Sequence, residues 1–365
     1  MTRPAKILVD GYFLGKPYGF GRFIFEMCRA LALTKNKNQI VVAIPERSLP
    51  ISQEVPGNLE WEILPDAIFP IWEQILIPNV ARRLSCDAIH FPYNTTAAFT
   101  FGKTKITTVH DLIFLDENYS VFETKNFLSS VYSKLCFRAF TKKAQRIVSV
   151  SRTTAEHLNK LGIKSDVVYN TIDGFIAGLD KKADLKPNNN YFLHRGGKQI
   201  HRNTERVISA FLDLDPARSN IELNIIGIAD GNRYFGLPLD SRVNFLPRVT
   251  DNELANLYAG SKGVIATSLQ EGFGLPIIEA FGFCVPVITS NLNPMAEIAG
   301  DAALLVDPSN KHEIGSAMRR LLQDKELANS LVSRGSRRLE IFSSDVVGTR
   351  MTAVYEGLFL DEYTY

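Results

Sequence analysis

Two glutamates flank a glycine turn in the stretch TSLQEGFGLPIIEAFG, residues 267–282. Glu271 precedes Gly272-Phe273-Gly274-Leu275-Pro276, and Glu279 follows it. A strand entering this turn should run straight into a helix, with Pro276 suited to the first helical position because its missing N–H would be unpaired there anyway. Such a helix end offers N–H groups and a partial positive charge to an anion, and Gly272 and Gly274 let a phosphate approach the backbone closely. Two carboxylates beside a phosphate seat cannot bind the phosphate. Their chemistry is to accept hydrogen bonds from hydroxyls, which a ribose and a hexose supply.

A second glycine-bearing loop, GKPYGFGRF, joins the first strand to the first helix and makes Gly19 and Gly21 candidates for close approach to a diphosphate or an acceptor. It departs from the dinucleotide fingerprint, because Ile24 occupies the third glycine position. No pair of groups suited to activating a water is evident, and no His/Asp/Glu cluster has metal-ligand spacing, so a metal-independent donor site without a cofactor is expected. Cys28, Cys86, Cys136 and Cys284 lie far apart in unrelated contexts, which fits buried thiols rather than a disulfide framework or metal ligands.

The elements that must position these residues follow a βαβ rhythm. KILVDGYF, QIVVAIP, DAIHFP, TKITTVHD and RIVSVS are apolar runs without polar alternation, joined by helical stretches such as RFIFEMCRALAL. That pattern implies a parallel sheet covered on both faces. The segment Asp173 to Asn190 is polar and lacks either period, so it reads as a linker. Beyond it the rhythm restarts with YFLHRGG, IELNIIG, VNFLPRV, GVIATS, VPVITS and AALLVDP. The expected organisation is an α/β chain of two doubly wound Rossmann-like domains: 1–173, linker 174–190, 191–345, and a helical tail 346–365 that returns to the first domain. Ligands of open α/β sheets bind beyond the strand ends, which places the site between the two domains.

At 365 residues the chain is long enough for two full cores. No run of about 18 apolar residues could span a bilayer, no signal peptide is evident at the N-terminus, and a cytoplasmic protein is expected. A net charge of +2 argues against a nucleic-acid partner. The basic surplus lies in the first half, partly in FLSSVYSKLCFRAFTKKAQR, where Lys134, Arg138, Lys142, Lys143 and Arg146 recur at helical spacing. This is either a solvated helix face or a surface for peripheral association with the inner leaflet of a membrane.

The stretch SLQEGFGLPIIEAFGFCVPVITSNLNPMAEIAGDAALLVDP resembles the donor-site segment of family 4 retaining glycosyltransferases, whose two glutamates are separated by seven residues. YGFGRF, VHDLIF, SVSRTTAEHL, VVYNTID, GGKQIHRNTERVISAF and FLPRVTDNELANLYAGS extend the resemblance over nearly the whole chain. It implies the GT-B fold, with Glu279 on the nucleotide ribose, Glu271 on a hydroxyl of the transferred sugar and Arg202 on the diphosphate. His110 matches the family histidine near the transferred sugar, and Asp111 beside it could instead cap the next segment. His201 stands where many members have arginine, and Gly197 where some have a second phosphate-binding arginine. Neutralisation of the diphosphate is therefore expected from Arg202, the backbone N–H groups of Gly196 and Gly197, or Lys198.

The resemblance implies transfer with retention, in which the leaving phosphate takes the acceptor's proton and protein groups orient the substrates and stabilise developing charge. The expected function is transfer of a hexose from a nucleoside diphosphate sugar to a carbohydrate or lipid-linked acceptor. Mannose from GDP-mannose comes first, because the His-Asp-Leu and HRN segments look like those of mannosyltransferases of bacterial surface polysaccharides. The alternatives are UDP-linked glucose or N-acetylhexosamine as donor, a sugar-nucleotide epimerase, and a catalytically silent nucleotide-sugar binding module.

Overall fold

A computed structural model describes residues 4–16, 19–57, 59–115, 127–179, 190–215, 220–229 and 240–358, with 127–129 by backbone only. The chain divides into two compact units, Met1–Gly174 with Ser343–Tyr365, and Phe175–Phe342.

In the first unit the apolar runs become β1 (Lys6–Asp10), β2 (Gln39–Pro45), β3 (Glu60–Leu64), β4 (Ala88–Phe91), β5 (Thr104–Val109), β6 (Arg146–Ser149) and β7 (Asp166–Val167). Every pairing is parallel, in the order β3-β2-β1-β4-β5-β6-β7. Ile7 stands between Ile40 on one side and Ala88 on the other, so β1 is buried on both faces and needs apolar residues at successive positions. The helix Ser344–Gly357 belongs to this unit. It packs closely against the helix Phe20–Leu33, because Gly348 lacks a Cβ that would lie 2.5 Å from the Ala30 carbonyl oxygen. Tyr355 reaches the buried His90 at 2.7 Å, and Arg146 donates to the Gly357 carbonyl at 2.9 Å.

The second unit contains β8 (Tyr191–Arg195), β9 (Glu222–Ile226), β10 (Val243–Leu246), β11 (Gly263–Ala266), β12 (Val287–Ser290) and β13 (Ala303–Val306), again all parallel, in the order β10-β9-β8-β11-β12-β13. Phe192, Phe211, Leu223, Ile225, Ile265 and Met318 form the centre of its core. In both sheets strand order reverses beside the first strand. The reversal falls between β1 and β4 in one unit and between β8 and β11 in the other, and it is beyond the carboxyl ends of such strands that open α/β sheets bind ligands.

Three sequence expectations need correction. The basic segment is not one helix: Phe127–Ala139 ends at Phe140, whose φ of −125° leaves the helical region, and a 3₁₀ turn Thr141–Lys143 follows with Thr141 buried. Cys28, Cys86 and Cys136 are buried, but Cys284 is exposed, in the left-handed conformation at φ 56° just after the helix Leu275–Gly282. The start of the expected linker is a short helix, Asp173–Ala177, and residues 180–189 of it lie outside the described residues.

Candidate functional site

β8 ends on Arg195, and the loop that follows reaches the helix Thr204–Leu212 through Asn203, whose left-handed conformation (φ 59°) turns the chain. β11 leads into residues 267–274 and then into the helix Leu275–Gly282, with Pro276 as its second residue. Gly274 adopts φ 106° as the helix N-cap, a conformation that strains any residue with a side chain. The two loops are joined: Leu269 N donates to the His201 carbonyl at 2.8 Å, and Asn203 Nδ2 to the Thr267 carbonyl at 2.9 Å.

This stitching brings two Arg–Glu pairs to the end of the sheet. Arg202 pairs with Glu271 Oε1, which also accepts from Ser268 Oγ at 3.1 Å. Arg195 pairs with Glu279 Oε2, and the Tyr258 hydroxyl donates to the same oxygen at 2.6 Å. Tyr258 is buried and stacks on Phe283, with ring centroids 5.5 Å apart and planes within 6°. Burial works against the Arg195 charge, but Glu279 beside it more than compensates and the guanidinium pKa is raised. Burial also keeps the Tyr258 phenol protonated, so it acts as a donor. A narrow pocket opens between Arg195, Arg202, Ser268, Glu271, Gly274 and Pro276.

The expected site residues fall in different surroundings. Glu279 is only 1% exposed and does not line that pocket; Arg195, which the sequence reading passed over, does. A cation at the carboxyl end of the first strand of a parallel sheet was the available signal. The Gly196 N–H donates to the Ile226 carbonyl at the end of β9 and the Gly197 N–H to Thr204 Oγ1 at the start of the next helix, both at 3.1 Å. Gly197 also matters through its missing Cβ, which would stand 2.9 Å from Arg202 Cγ. Lys198 lines a separate cavity of about 510 Å³ with Arg206 and Lys311. Phe273 is a core ring, buried and edge-on to Phe342 at 5.8 Å. Gly272 and Leu275 are partly exposed at the turn.

Gly19, Gly21 and His110 belong to the first unit. Gly19 has φ 55° and caps the helix Phe20–Leu33 with open space where a Cβ would be. A Cβ on Gly21 would fall 2.0 Å from the Lys16 carbonyl oxygen, so only glycine permits this packing of the loop. His110 Nε2 lies 3.0 Å from the Pro92 carbonyl oxygen, to which it donates, and Phe20 and Phe23 meet the ring edge-on at 4.8 and 4.6 Å. Burial lowers its pKa to about 4, so the imidazole is neutral near pH 7. Asp111 accepts from Ile113 N at 3.1 Å, which is the capping role.

At the carboxyl end of β1 is a buried polar cluster that the sequence reading missed. Asp10 accepts from Trp72 Nε1 at 2.7 Å and from the Tyr93 hydroxyl, while Glu73 accepts from Thr95 Oγ1 at 2.5 Å and from the Tyr132 hydroxyl. Burial raises Asp10 to about 6 and Glu73 to about 7. Glu73 sits on a π-helical turn, Trp72–Leu76, a feature with no clear local sequence mark. Among the described residues no three His, Cys, Asp or Glu side chains converge as metal ligands, and no helix is long and apolar enough to cross a membrane.

Residues 178–338 match the family described as glycosyl transferases group 1, and residues 17–173 match glycosyltransferase family 4. The chain is 28% identical over 247 residues to the O-antigen chain mannosyltransferase RfbU of Salmonella typhimurium, covering 61% of this chain and 66% of that protein. It is 34% identical over 114 residues to the O-antigen chain mannosyltransferase B of Escherichia coli, covering 31% and 30%. The matches therefore span less than two thirds of either relative. The solved structure of Anabaena HepE with UDP and glucose superposes with a TM-score of 0.72 at 17% identity, covering 97% of this chain and 100% of that one. The fold of the chain is of the same GT-B type.

Proposed function

Because the chain belongs to glycosyltransferase family 4, with a group 1 unit following the family 4 unit, we propose that it transfers a hexose from a nucleoside diphosphate sugar to a carbohydrate or lipid-linked acceptor, with retention at the anomeric carbon. One observation carries this reading: two guanidiniums and two carboxylates meet at a helix N-terminus beyond the switch point of a parallel sheet. Arg195 and Arg202 suit a diphosphate, the first as an addition to the sequence-based assignment. Glu271 suits a hydroxyl of the sugar, and Glu279 suits the ribose once Arg195 turns to the phosphates. Neutral His110 suits a sugar hydroxyl as a hydrogen-bond partner rather than as a cation. The departing diphosphate takes the acceptor's proton, and the two arginines stabilise the charge that grows on it.

Mannose from GDP-mannose is the first donor to test, on the strength of the two mannosyltransferase relatives. UDP-glucose is the specific alternative, favoured by the ligands of the HepE structure. Transfer assays with GDP-mannose, UDP-glucose and UDP-N-acetylglucosamine, with the product's anomeric configuration read by NMR, test donor and stereochemistry together. Turnover of a donor without any acceptor would favour an epimerase, and donor binding without turnover a silent binding module. Two guanidiniums supply the charge that a divalent ion would otherwise bring, so transfer is expected to survive chelation. Activity lost on chelation and restored by magnesium would overturn that part.

The reading includes a cytoplasmic protein held peripherally at an anionic inner leaflet. Exposed Arg138, Lys142 and Lys143 in the first unit support it, with Leu135 62% exposed on the same helix as Arg138. Ile71 and Ile75 are also exposed along one helical stretch, with exposed Ile68 just before it, and Phe99 and Phe101 on a loop where Arg82 lies 4.8 Å over the Phe101 ring.

A further inference from the structure

We infer that Glu271 is an internal competitor for the diphosphate at Arg202, and that this competition lets the site distinguish the intact donor from the spent nucleotide. The inference rests on the nucleotide-sugar reading above. The Arg202 guanidinium is engaged by Glu271, and Ser268 holds the same carboxylate oxygen at 3.1 Å. The pair is part-buried, with side chains 33% and 17% exposed, so water screens it only in part. A diphosphate that takes Arg202 must loosen this pair and leave a carboxylate next to new negative charge.

An intact donor relieves that conflict, because the hydroxyls of its sugar donate to Glu271 while its phosphates take Arg202. The nucleoside diphosphate left after transfer carries no such hydroxyls. Glu271 then faces an anion without a donor, returns to Arg202, and weakens the grip on the product. Glu279 differs in kind: it is almost wholly buried and held by both Arg195 and Tyr258, whereas Glu271 is on the pocket wall and tied to a guanidinium also on that wall.

The test is a double-mutant cycle read by calorimetry with GDP and UDP as probes, on the parent, Glu271→Gln, Arg202→Ala and the double variant. Glutamine keeps the shape and the contact with Ser268 but no longer neutralises Arg202. Whichever diphosphate binds the parent should bind Glu271→Gln at least fivefold tighter, and its product-inhibition constant should fall by a similar factor. Affinity for the intact nucleotide sugar should not tighten, and in the Arg202→Ala background the substitution should change diphosphate affinity by less than twofold. A Glu271→Gln protein that binds the diphosphate no tighter than the parent, or that keeps the gain without Arg202, overturns the inference and leaves the donor reading standing. Failure of all four proteins to bind either diphosphate would sink the donor reading and the inference with it.

Discussion

Arg195 and Glu279 stand 84 residues apart in the chain and form a buried ion pair, with the Tyr258 hydroxyl closing on the same carboxylate oxygen. A charge in this setting is tolerated because its partner and a phenol donor replace water.

Removing one member should expose that dependence. Arg195→Met leaves Glu279 buried without its cation, and unfolding in urea should show a loss of about 3–5 kcal/mol. The double variant Arg195→Met, Glu279→Leu should recover much of it, since no charge remains to be buried. Equal stability of the single variant and the parent would mean that Glu279 finds water in the folded chain.

Arg202 should act on rate more than on affinity. A guanidinium positioned where charge grows on the leaving diphosphate stabilises the transition state above the ground state, so Arg202→Ala should lower the turnover number by ~100-fold or more. Arg202→Lys should restore part of it. Single-turnover kinetics at saturating donor provide the measurement, and a rate within threefold of the parent would move the diphosphate contact to Arg195.

A pH dependence of stability follows from the cluster behind β1. Burial raises Glu73 from 4.5 to about 7 and Asp10 from 3.8 to about 6, so the folded chain binds protons more tightly than the unfolded one. The resulting stabilisation is complete below about pH 4 and is lost as pH rises through 6 to 7. Calorimetric melting between pH 5 and 8 should show a decline that is smaller in Glu73→Gln, which carries no charge at any pH. An identical slope in the two proteins would clear Glu73 of that role.

Membrane association can be tested on vesicles. The parent should float with phosphatidylglycerol vesicles at low salt and not with phosphatidylcholine alone, and Lys142→Glu with Lys143→Glu should weaken flotation. Ile71→Ser with Ile75→Ser should weaken it independently if the exposed isoleucines insert. Absence of flotation in the parent would return both surfaces to ordinary solvated faces.

What the amino-acid sequence determined by itself was local. Unbroken apolar runs specify strands buried on both faces, and Gly274 followed by Leu275 and Pro276 starts a helix, because strand burial and φ preferences act on neighbouring residues. The strand-to-helix turn after Ser268 was legible for the same reason. Which side chains meet was decided by strand order. β8 lies beside β11, so Arg195 arrives over Glu279 and Arg202 over Glu271, 69 residues away. The same packing pairs the Gly196 amide with Ile226 and the Gly197 amide with Thr204, and in the first unit it is the packing at the end of β1 that buries Glu73 on a π turn. Hydrogen bonds and ion pairs at these separations depend on distances that only the assembled sheet defines, and the local sequence carries no record of them.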